Sequence, residues 1–137
     1  MADDSKYILL LNSDVRIVSD EWLSNLIKYK NDAGAISYGC VDYPVLRPDG
    51  WCFLIDKDIY FKYNGLDEHY QFWWSITVLT IKMLENGIKI KAIRSTTDFI
   101  IHFGGKSIDK KIDLSLFNNI KLEDVINKFA NYKVEVL

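Results

Sequence analysis

The chain has 137 residues, of which 49% are hydrophobic and 14% aromatic, and its formal net charge is −2. That is the size and make-up of one globular domain with a real core, not of a disordered segment. It holds no long Lys/Arg run and no stretch of roughly 18 apolar residues, which argues against nucleic acid as the main partner and against a membrane-spanning helix. The acidic, polar start does not read as a secretory signal, and Cys40 and Cys52 read as reduced, small buried residues of a cytoplasmic protein.

In chain order, the apolar run from Tyr7 to Leu11 predicts a short strand buried on both faces. It ends abruptly in Asn12-Ser13-Asp14. Those three residues are either a plain turn or a carboxylate presented at the carboxyl end of a strand, where open α/β sheets bind ligands and where a hard oxygen suits a divalent cation. Ser19 is a candidate N-cap with Asp20 and Glu21 in a favourable first turn. Trp22, Leu23, Leu26 and Ile27 then give a helical stripe that Asn31-Asp32-Ala33-Gly34 closes. Ala35 to Val41 reads as a strand. Asp42 to Gly50, with Pro44, Pro48 and Asp49-Gly50, reads as a loop. Trp51 to Ile55 is strand-like, and turns are expected at Asp56-Lys57-Asp58 and at Asn64-Gly65.

The run from Phe72 to Asn86 is ambiguous. Its β-branched residues Ile76 to Ile81 suit a strand, whereas its length and the Asn86-Gly87 stop suit a deeply buried helix. Ile88 to Ile93 alternates apolar and basic residues, as a half-exposed strand does. Asp98 to Phe103 predicts a short strand that delivers His102 just before Gly104-Gly105. Leu122, Val125, Ile126 and Phe129 form the cleanest amphipathic helix pattern, and Lys133 to Leu137 predicts a small terminal strand. This alternation makes an α/β layer architecture the default.

The order of these segments carries a resemblance. Leu-Leu-Leu-Asn-Ser-Asp-Val, then Trp22-Leu23, then Gly65-Leu-Asp-Glu68, then a helix ending in Asn86-Gly87, then Ile101-His-Phe-Gly-Gly-Lys-Ser107 resemble the family-two glycosyltransferases, inverting enzymes of the GT-A fold that use nucleotide-activated sugars. The resemblance covers about Tyr7 to Ser107 and implies a partial GT-A, Rossmann-like three-layer sandwich with a mixed, mostly parallel sheet. Residues 1–107 would form the metal and acceptor half, and 108–137 a helical extension packed on it.

Carried over, the resemblance implies that Asn12 and Asp14 bind the nucleotide sugar and that Asp14 and His102 hold Mn²⁺ or Mg²⁺. A packed core histidine is the alternative for His102. Trp73 and Trp74 would meet the acceptor, a carbohydrate or a lipid-linked one, which would bring a cytoplasmic protein to the inner membrane face. Two departures stand against full activity. The resemblance puts the general base, normally an Asp, at Ile76, which cannot take a proton, so Asp67 or Glu68 are the only catalytic carboxylates it leaves. The nucleotide-binding strands that relatives carry before the Tyr7 strand are absent, as in a truncated gene or one piece of a split protein. An open edge on that strand then predicts a homo-oligomer or a complementary chain. The competing expectation is a non-catalytic carbohydrate-binding or scaffold domain, with Trp51, Trp73 and Trp74 either as sugar-stacking faces or as core.

Overall fold

The computed structural model describes residues 4–42, 45–66, 74–94, 97–103 and 122–137. It is an α/β fold built on one mixed sheet. The strands of that sheet are β1 (Tyr7–Leu11), β3 (Ala35–Tyr38), β6 (Cys52–Asp56), β7 (Ile90–Ile93) and β9 (Glu135–Val136), in the spatial order β1-β6-β3-β7-β9. Both β1 and β3 pair antiparallel with β6, whereas β3–β7 and β7–β9 are parallel. Four strands therefore run one way and β6 alone runs the other. Two small ladders flank the sheet. One joins β2 (Val15–Ile17) to β8 (Ile100–His102), and the other joins β4 (Cys40–Val41) to β5 (Arg47–Pro48).

Period-two alternation splits the core in two. Phe53 and Ile55 of β6 and Ala35 of β3 face one side, where they meet Ile76, Leu79 and Met83 of α3 (Trp74–Glu85) and Val125 and Phe129 of α4 (Leu122–Asn131). Cys52 and Leu54 of β6 and Ile36 and Tyr38 of β3 face the other side, with Leu26 of α1 (Trp22–Lys30), Trp51 and Ile100. Helices thus cover both faces of the sheet. The ambiguous run around Ile76 is a helix, because its apolar face is needed against Phe53 and Ile55 and Gly87 ends it at φ +77°. The segment expected as an extension contributes α4 to the first core and β9 to the sheet.

Several local expectations differ from the structure. The first strand is half-buried rather than buried on both faces, since it is the edge of the described sheet and pairs only with β6 there. The contact face of α1 runs through Trp22, Leu26 and Lys30, leaving Leu23 and Ile27 exposed. Ser19 does not cap the helix directly. Its Oγ accepts at 3.2 Å from the N–H of Glu21, the residue just before the first helical one. The strand expected from Ala35 to Val41 breaks at Gly39, whose φ is +98°. Asp56 to Asp58 is not a turn: Asp56 ends β6 and α2 (Lys57–Lys62) starts at once. Finally, β7 is an interior strand and buries Lys91, whose stem packs inward while its Nζ reaches the Tyr29 carbonyl at 3.1 Å. No helix among the described residues is long and apolar enough to cross a membrane.

Candidate functional site

Strand β1 delivers the Asn12-Ser13-Asp14 motif to one end of the sheet. The backbone N–H of Asn12 donates to the Trp51 carbonyl at 2.9 Å, continuing the β1–β6 register by one step, and the Asn12 side chain lies at the exposed surface. The chain then enters β2, which pairs antiparallel with β8 so that Val15 stands opposite His102. The Phe103 N–H closes that ladder on the Asp14 carbonyl at 3.0 Å. Two residues far apart in sequence are thereby set side by side by a three-pair ladder.

Their side chains meet. Nε2 of His102 lies 3.2 Å from Oδ1 of Asp14, with both side chains less than a fifth exposed. The separation is within ion-pair range, but the approach does not have hydrogen-bond geometry, and Nε2 is buried with no hydrogen-bond partner. A buried imidazole nitrogen left without a partner costs stability unless something else takes its lone pair or proton.

The other face of the imidazole is covered. The Trp51 indole stacks on the His102 ring with centroids 4.9 Å apart and planes within 6°. Trp51 is only 5% exposed, so of the two expectations for it, sugar-stacking face or core, it is core. Gly39 backs the indole. A Cβ built there would fall 2.6 Å from Trp51 Nε1, so only glycine fits.

A third ionisable group borders the pair. Asp49 follows β5, its N–H donates to the Gly39 carbonyl at 3.1 Å, and its Oδ1 accepts from the Gly50 N–H at 2.9 Å. Burial holds the Asp49 carboxyl above its ordinary range. The Gly50 N–H, His102 and Arg47 oppose that rise and the Asp14 charge adds to it, which places Asp49 in the same electrostatic neighbourhood. In sequence Asp49-Gly50 only marks the loop from Asp42 to Gly50, and nothing local in those residues points to His102.

Ile76, where the resemblance puts the base, is 6% exposed on α3 and packs on Gly50: a Cβ built on that glycine would lie 3.0 Å from Ile76 Cγ1. The candidate carboxylates Asp67 and Glu68 and the candidate acceptor residue Trp73 lie outside the described residues, as does the side chain of Trp74. Both cysteines are free thiols, and burial pushes Cys52 up to about 12, so it is inert at neutral pH. Among the described residues no group of three or more His, Cys, Asp or Glu gathers as a closed metal cage. Asp14 and His102 therefore offer two donors, not a complete ligand set. Comparison of the chain with protein-family models, with curated proteins and with solved structures returned no match.

Proposed function

We propose that this chain carries the cation-binding and acceptor half of a GT-A-type, nucleotide-sugar-dependent glycosyltransferase domain. The observation that carries the reading is His102 Nε2, buried and without a hydrogen bond, set 3.2 Å from Oδ1 of Asp14. Asp14 would supply the hard oxygen that Mn²⁺ or Mg²⁺ takes, and the His102 imidazole would suit Mn²⁺ better than Mg²⁺. A cation held there would neutralise the charge that develops on a leaving diphosphate. The mixed sheet is compatible with the reading, although its pairings are two parallel and two antiparallel rather than mostly parallel.

Within that reading each group has a distinct task. Asp14 and His102 hold the ion. The exposed Asn12 is available to the sugar nucleotide at the strand end, and Asp67 or Glu68 remain the carboxylates for deprotonating an acceptor hydroxyl. A second reading, a binding domain that does not catalyse transfer, is favoured by one observation: Ile76 is buried against Gly50 and offers no proton acceptor.

Titration calorimetry of the protein with Mn²⁺ together with inorganic diphosphate, and then with uridine- and guanosine-diphosphate sugars, separates these outcomes. Cation-dependent binding that disappears in Asp14→Asn and His102→Ala supports the site. Sugar transfer by the wild type supports the enzyme, and binding without transfer supports the second reading. Wild-type protein that takes neither Mn²⁺ nor diphosphate overturns both.

A further inference from the structure

The groups that would hold a cation sit on a small ribbon rather than in the core, so something has to fix them. The ribbon has three residue pairs, and β2 is largely exposed. An imidazole at its end has freedom about χ1 and χ2 unless a neighbour removes it. One residue touches both His102 and the segment that leads to Asp14. The Trp51 carbonyl accepts the Asn12 N–H, pinning the chain two residues before Asp14, and the Trp51 indole lies flat on the His102 ring. Trp51 is itself immobilised by burial, by its place immediately before β6, and by Gly39 packed against the indole nitrogen.

We infer that Trp51 is the positioning residue of this site: its carbonyl sets where the Asp14 segment leaves the sheet, and its indole sets the plane of the His102 imidazole so that Nε2 faces Asp14. The inference takes its ligand from the cation reading above but takes its geometry from contacts that exist without any ion. Parallel ring planes at 4.9 Å fix a tilt that apolar packing alone would leave free. Outer residues that orient a ligating histidine ordinarily change cation affinity when removed, by about 10- to 100-fold. In most such sites a hydrogen bond to the second ring nitrogen does the orienting; here a stacked ring and a shared backbone contact do it.

The test combines ring-proton NMR of the metal-free protein with Mn²⁺ affinity read from the electron paramagnetic resonance of free aqueous Mn²⁺. In the wild type the His102 ring protons are expected upfield of their usual position, because they lie over the indole face. Trp51→Leu keeps apolar volume but removes the ring. It should return those protons to their usual position, broaden or multiply the His102 signals, and weaken Mn²⁺ binding about tenfold or more. Trp51→Phe, which keeps a smaller ring, should retain part of the upfield displacement and most of the affinity.

A folded Trp51→Leu protein with unchanged His102 signals and unchanged Mn²⁺ affinity overturns the inference. Should that variant fail to fold, a wild-type His102 ring with no upfield displacement overturns it equally. Wild-type protein that binds no Mn²⁺ ends the cation reading instead, and the metal-free ring signals then decide the role of Trp51 alone.

Discussion

The five-stranded sheet and the β2–β8 ribbon are built on opposite terms. In the sheet, every residue of β3 is buried, and Phe53 and Ile55 on one face and Cys52 and Leu54 on the other are at most 2% exposed. In the ribbon, Ile17 is 47% exposed and only Ile100 is fully buried. The sheet is held by apolar area removed from water on both sides, whereas the ribbon is held by its ladder and by what Trp51 and Ile100 anchor beneath it. Polar atoms near solvent but not in it, such as His102 Nε2, survive on the second kind of structure and are too costly in the first.

That contrast can be broken or sharpened by substitution. Phe53→Ala, in the middle of β6 against α3, should cost about 3–5 kcal/mol in urea denaturation, the largest effect in the chain. Lys30→Met should cost less, about 1–3 kcal/mol. It removes a buried ammonium 2.6 Å from Asp56 and 5.0 Å above the Tyr7 ring, but the Asp56 carboxylate left behind is one-third exposed and can rehydrate. Asp14→Asn and His102→Ala, on the ribbon, should each change stability by less than about 1 kcal/mol while lowering Mn²⁺ affinity at least about tenfold. Ribbon substitutions that unfold the protein as readily as Phe53→Ala would erase the distinction.

The smallest effect is the most diagnostic of the border between the two regions. The Asp49 carboxyl titrates above its ordinary range because burial penalises its ionised form. Its charge therefore costs stability fully above the folded-state pKa. The cost fades as pH falls through that value and is gone below the unfolded-state pKa. Asp49→Asn keeps an Oδ1 for the Gly50 N–H. Urea midpoints should show the variant more stable than wild type at neutral pH, with the difference shrinking on acidification. A gain that is constant with pH would mean that the charge is not the cause.

What could be read from the sequence follows the range of each signal. Tyr7 to Leu11 announced β1 through a local apolar run, and Asn86-Gly87 announced the end of α3 through turn chemistry, both within a few residues. The burial of Lys91 was hidden because an alternating pattern says which side chains differ, not whether a neighbouring carbonyl awaits the ammonium. The start of α2 was hidden by Asp56-Lys57-Asp58, which suits a turn as well as a first helical turn. At the site, Asp14 and His102 were legible as residue types at strand ends. The parts that sequence could not supply were the place of Asp49 and the stack of Trp51 on His102, since both involve a close approach at Gly39. Close approach of backbone to ring leaves no periodic trace.

The ladder that sets Asp14 beside His102 joins β2 to the distant β8, with most of the sheet's strands between them in sequence. Closing so long a loop is entropically unfavourable until the intervening strands have docked. A chain in which only β3 and β6 have paired would still hold Asp14 and His102 apart, because β8 lies further along the sequence. The meeting of Asp14 and His102 is therefore a late event in assembly, and a protein clipped before β8 would lose it together with Ile100 and the α4 side chains of the two cores.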